Sequence, residues 1–271
     1  MSPTKLRAAT LPSYKKPPVI EVVCGLRFEP LEKLKIPHIG QYWEKVRNNF
    51  PNCEHATPLG LGPGSIDPVS NLPLPRVWLI NRSDDRLIQI QRDIFIYNWR
   101  KIKARKKYPR YRNLIKEFKR NLKIYNEFLE DSGIGLITPV DCELTYVNHI
   151  TREHGWQSVS DLGTFIPELK WQSSLHHFLP DPNQVTWGGT FALPDEQGRL
   201  NVKLEETVRK VDNTPMLVFQ LSARGISVEK SPNSLWNWFS VAHEWIVRGF
   251  ADLTSLEIQN KVWERDDNSA G

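Results

Sequence analysis

The chain has 271 residues, 39% hydrophobic and 25% charged, with a formal net charge of +5. This is enough for one large domain or two small ones, with the composition of an ordinary soluble globular protein. No apolar run approaches the roughly 20 residues of a bilayer span, no signal-like apolar segment lies between Met1 and Lys16, and Cys24, Cys53 and Cys142 are too widely spaced for a disulfide framework or a zinc knuckle. These features predict a cytoplasmic protein with reduced thiols and no membrane partner.

In chain order, residues 1–18 read as a loose, flexible arm ending in Pro17-Pro18. "VIEVVCGLRF" (Val19–Phe28) is rich in β-branched residues and predicts a strand. "IPHIGQYWEKVRNNF" follows with Ile39, Trp43, Val46 and Phe50 at helical spacing. The stretch 58–75 holds five prolines and three glycines and is a loop. Its "GLGPG" lacks the flanking strand and helix of a dinucleotide loop, so no cofactor is expected there. "RVWLIN", "RLIQIQ" and "DIFIYNW" predict three strands, with Arg92-Asp93 as a turn and Ile88, Ile90, Ile94 and Ile96 on one alternation. The helix that follows carries Leu114, Phe118, Leu122, Tyr125 and Leu129 on one stripe and is closed by Gly133 and Gly135.

The order then repeats. "PVDCELTYVNHI" is a strand, and "WQSVSDLGTFI" a short helix capped at Ser158 or Ser160. "QVTWGGTFAL", "RLNVKLEETVRK" and "PMLVFQLSAR" are strands, and "SPNSLWNWFSVAHEWIVRGFADL" is a long helix. Thr254 with Glu257 predicts a capping box for a terminal helix reaching Trp263. The expected fold is therefore α+β: two similar β-α-β-β-β-α halves, 19–135 and 136–265, forming one continuous antiparallel sheet backed by long helices. Residues 266–271 form a tail. The saddle of TATA-binding-type proteins is the analogy, and it does not carry function with it.

"PPVIEVVCGLRFEP", "LIQIQRDIFIYNWR", "YPRYRNLIKEF", "ELTYVNHI", "LSARG" and "AHEWIVRGFADLTS" occur in that order between Pro17 and Arg265. In these segments the chain resembles a sporadically distributed family of uncharacterised bacterial proteins of about this length. The resemblance implies a bacterial cytoplasmic protein of accessory or defence type. It implies no reaction, cofactor or catalytic residue.

Charge is unevenly spread. Between Trp99 and Lys123 twelve Lys or Arg residues accompany one acid, Glu117, so this segment carries +11 and the rest of the chain −6. Arg100, Lys101, Lys103, Arg105, Lys106 and Lys107 precede the helix without an acid between them, and Arg110, Arg112, Lys116 and Lys119 continue along it. A solvated amphipathic face accounts for the helical part. Phosphates would relieve the loop's self-repulsion, with Tyr108 and Tyr111 stacking on bases. An acidic protein surface would relieve it too.

The other candidates are weaker. His243-Glu244 lacks the second histidine of a zinc-protease helix, because Val247 stands in its place. His149, His154 and the pair His176-His177 show no convergent ligand spacing, so no metal is expected. Asn98, Asn148 and His149 are a possible polar site at the boundary of the halves, against the simpler role of bonding backbone at strand ends. Glu205 and Glu206 point to opposite faces of a strand and make no acid–base pair. The leading expectation is a non-catalytic accessory protein that binds nucleic acid, or another anionic partner, through residues 100–123. A protein–protein interaction subunit of immunity or antitoxin type is the alternative, and an enzyme with an unfamiliar site the third.

Overall fold

The structure, a computed structural model, describes residues 10–60, 74–103, 106–170, 178–180, 182–209, 212–227 and 232–266. β1 (Val19–Phe28) is followed by α1 (Ile36–Val46), β2 (Asn52–Ala56), β3 (Arg76–Ile80), β4 (Arg86–Gln91), β5 (Ile94–Arg100) and α2 (Tyr111–Asp131). A second round runs through β6 (Pro139–Ile150), the short α3 (Leu162–Phe165), β7 (Thr186–Ala192), β8 (Arg199–Val208), β9 (Pro215–Gly225), α4 (Pro232–Leu253) and α5 (Leu256–Lys261). Among the described residues nine strands pair antiparallel in the order β2-β3-β4-β5-β1-β6-β9-β8-β7. The two rounds meet where β1 pairs with β6, and β3, β4 and β5 on one side answer β7, β8 and β9 on the other. The protein is thus α+β, one antiparallel sheet backed by helices.

Period-2 alternation sorts the side chains. Val22 lies opposite Trp99 on one side and Tyr146 on the other, and Cys24 opposite Tyr97 and Leu144. These residues are buried beneath Phe118, Leu122 and Tyr125 of α2 and Trp238, Phe239 and Ile246 of α4. Phe118 joins the helices by meeting Phe239 edge-on at 5.3 Å and leaning on Phe95 at 6.2 Å. The opposite face is asymmetric. In the first half Ile80, Leu87, Ile94 and Ile96 are all buried there, whereas in the second half Arg199, Lys203 and Arg224 are exposed. Gly198 and Gly225, both at positive φ, let two backbones cross so closely that a Cβ on either would sit 2.0 Å from a carbonyl oxygen.

Several local expectations change. β2 adds a strand to the first half. Its "NCEHA" is almost wholly exposed on an edge, so no apolar alternation announced it. Ile88 and Ile90 do not share a face with Ile94 and Ile96. The two-residue turn pairs Gln91 with Ile94 and Ile90 with Phe95, which shifts the parity between strands. α5 starts from Ser255, not Thr254, because the Thr254 hydroxyl is turned back onto the Phe250 carbonyl at 2.6 Å. The stretch expected to be loose is strapped down where it is described. Lys15 and Lys16 donate backbone hydrogen bonds to the carbonyls of Glu264 and Trp263, and Tyr14 packs edge-on against Phe250 and Trp263. Among the described residues no helix is long and apolar enough to cross a membrane.

Candidate anion-binding groove

The chain leaves β5 at Arg100, and the Lys101 amide is tied to the Ile20 carbonyl at 2.7 Å. This bond holds the basic loop at one end of the central strands, beside the start of β1 and the turn that follows β6. Here a groove of about 860 Å³ opens. Lys101, Lys106, Lys107 and Arg110 line it from the loop, Lys15 and Lys16 from the N-terminal strap, and Lys261 from the end of α5. Glu153 is the one acid among its lining residues.

Ion pairs decide which cations are spare. Lys106 reaches Asp85 at 2.5 Å, Lys16 reaches Glu264 at 2.5 Å, and Lys261 reaches Glu257 at 2.8 Å. The last two pairs are solvent-exposed and cheap to exchange for another anion. Lys101, Lys107 and Arg110 form no salt bridge among the described residues, and Arg110 donates only to the Ser13 hydroxyl, at 3.2 Å. Arg110 also adopts φ 71°, ψ 148°, a region that a side chain strongly disfavours. It stands directly before α2, whose first turn holds no acid and no side-chain cap. His154, on the opposite wall, is held below the usual imidazole range by burial; Glu153 opposes this and Lys101 adds to it.

Glu117, the one acid in the basic segment, does not face the groove. It lies over the sheet, accepting from the Arg86 Nε at 2.8 Å and from the Tyr97 hydroxyl. The loop's cations are therefore left without the one acid that the segment itself carries.

The residues proposed from sequence divide. Lys101, Lys106, Lys107 and Arg110 are brought together in the groove. Arg100 is spent on Asp84, a contact the loop between β3 and β4 provides. Lys103 is exposed but is not among the groove's lining residues, and Arg105 lies outside the described residues, as do His176 and His177. Arg112, Lys116 and Lys119 point to solvent from α2 without lining the groove, with the Lys119 ammonium 4.5 Å from the ring centre of Trp236. Tyr108 and Tyr111 are not base-stacking platforms. Tyr108 packs on Trp99 and its hydroxyl meets that of Tyr146 at 2.8 Å, while Tyr111 lies flat on His243 at 3.8 Å.

Asn98, Asn148 and His149 do not converge. Asn98 lies on the face away from the helices, in a chain from Arg76 through Gln89 to Glu21. Burial raises the Glu21 carboxyl, and the bonds from Asn98 and the charge of Arg100 oppose that rise. Asn148 sits on the helix face and donates to the Phe219 carbonyl at 3.0 Å, the simpler role foreseen for it. His149 is on the same face as Asn98 but opposite Val218, two strands away from it. Burial and the charge of Arg209 lower its pKa.

Neither a family model nor a curated protein matches the chain.

Behind the groove is a smaller chamber of about 70 Å³. Pro17, Val19, Tyr108 and Arg110 line both spaces. The chamber is walled largely by apolar groups, among them Leu221, Ile246 and Phe250, with polar groups from Ser13, Arg110, Tyr146, Asn148 and His243. Sequence reasoning missed Lys15, Lys16 and Lys261 as groove residues. Nothing local marks them, since the strap and α5 meet through contacts between the two ends of the chain, among them the Tyr14–Arg265 bridge and the bond from the Tyr14 hydroxyl to Gln259.

Proposed function

We propose that the protein is a binding protein for an anionic polymer, nucleic acid above all, and that it holds the phosphate backbone in the groove between the basic loop, the strap and α5. The observation that carries this reading is the convergence of Lys101, Lys107 and Arg110, none in a salt bridge among the described residues, on one groove with a single acid. Uncompensated cations at that spacing gain most from a row of phosphates, which release condensed counterions on binding. The inward tyrosines support contact to backbone over reading of bases. Contact to the chain of phosphates alone makes binding tolerant of sequence.

The test is fluorescence anisotropy with labelled single- and double-stranded DNA and RNA over a salt series, comparing the natural chain with Lys101→Ala/Lys107→Ala/Arg110→Ala. The expected outcome is salt-sensitive binding whose log–log slope falls by about 3 in the variant. Absence of binding at low salt would send the groove to an acidic protein partner.

A further inference from the structure

The chamber behind the groove holds more hydrogen-bonding capacity than the protein uses. His243 is nine-tenths buried, stacked on Tyr111, and its ring nitrogens have no hydrogen-bond partner among the described residues. Tyr108 and Tyr146 share one hydrogen bond between two hydroxyls, so one phenolic proton has no acceptor there. The Asn148 amide donates to Phe219 while its oxygen stays unbonded among the described residues. A neutral imidazole, a phenol proton and an amide oxygen thus meet in a largely apolar space with Arg110 at its wall. These groups face the chamber, where a ligand with matching hydrogen-bonding groups takes the place of water.

We propose that this chamber is a second ligand site, which takes the polar tail of a short-chain organic phosphate whose phosphoryl group lies beside Arg110 in the groove. The inference rests on the reading of the groove as an anion site. Size sets the class of ligand. A cavity of about 150 Å³ is known to hold a benzene ring, and at about 70 Å³ this chamber suits a smaller group than a nucleobase or phenyl ring. It has room for a tail of about four or five heavy atoms. A tail bearing a hydroxyl supplies both the acceptor that the phenol proton lacks and the donor that Asn148 or His243 lacks. Its carbon stem packs on Val19 and Phe250. Because Arg110 lines both spaces, such a molecule and nucleic acid compete for the same guanidinium.

The experiment is calorimetric titration of the full chain with glycerol 3-phosphate and, separately, with inorganic phosphate, for the natural protein, Tyr146→Phe and His243→Leu. Nucleic-acid anisotropy is measured on the same samples. The expected result is about tenfold tighter binding of glycerol 3-phosphate, the worth of one or two buried hydrogen bonds. That preference is lost in Tyr146→Phe, which removes one oxygen and keeps the ring, while inorganic phosphate binds as before. Equal affinity for the two probes would overturn the inference, as would a preference that survives both substitutions. If glycerol 3-phosphate shows the preference but nucleic acid does not bind, the chamber stands and the polymer reading of the groove falls. Nucleic acid binding without the preference leaves the groove and removes the chamber.

Discussion

Lys106 and Asp85 are 2.5 Å apart, and this contact removes one of the six cations of the basic loop from the pool available to an outside anion. Asp85 is buried and also accepts from the Asn81 amide at 2.9 Å. Burial alone would raise its carboxyl; the bonds from Lys106 and Asn81 and the charge of Arg86 more than offset this and hold it below the usual carboxylate range. Stability from a lowered carboxyl is present above its unfolded pKa and lost as pH falls through the folded one. Asp85→Asn is expected to lower stability at neutral pH by about 1–3 kcal/mol. It should also flatten the loss of stability at acid pH and tighten anion binding by freeing Lys106. Urea unfolding at pH 7 and pH 3 with parallel anisotropy checks all three.

Glu117 separates the roles of the basic segment's charges. In Glu117→Gln the side chain keeps its size but loses its charge, leaving the partly buried Arg86 guanidinium with Asp85 as its remaining ionic partner. The expected cost is about 1–3 kcal/mol in chemical denaturation, with no loss of anion binding. Weaker binding in this variant would mean that the orientation of α2, not the loop, sets the groove.

Arg110 offers a trade of stability against binding. Glycine adopts φ 71°, ψ 148° freely, so Arg110→Gly relieves strain of about 1–3 kcal/mol while giving up the Ser13 bond. The melting temperature is expected to stay level or rise as anion affinity drops. A fall in both would show that Arg110 is needed to hold the strap.

The cations of α2 serve as the internal control. Arg112→Ala/Lys116→Ala/Lys119→Ala removes as many charges as the groove triple variant but from a face that does not line the groove. Its effect on the salt slope is expected to be under about one unit, against about three for the groove variant.

His243 makes the protein sensitive to mild acid. Burial pushes its imidazole down to about 4 from an unfolded value near 6.5. Below pH 6.5 the unfolded chain therefore takes up a proton that the folded one refuses, and stability falls as pH drops toward 4. The expected loss between pH 7 and pH 5 from this residue is about 2 kcal/mol, and His243→Leu should remove it. Denaturant midpoints at the two pH values measure the difference.

Elements with strong periodicity were legible from sequence alone. The stripe Leu114, Phe118, Leu122, Tyr125 and Leu129 is buried in α2 as its spacing requires, and β1 and β6 open their rounds where β-branched runs begin. The density of cations in 100–123 was equally plain. What the residues could not tell was which of them are spent. Arg100 and Lys106 are neutralised by Asp84 and Asp85, and Glu117 is turned away to Arg86 and Tyr97. Tyr108 and Tyr111, candidates for stacking on bases, lie against Trp99 and His243 instead. Periodicity records which side of an element faces the core, because each residue's burial repeats with the backbone's own geometry. Charge pairing and the joining of Lys15 to Lys261 across one groove depend on distances between segments far apart in the chain. Only the tertiary structure sets those distances.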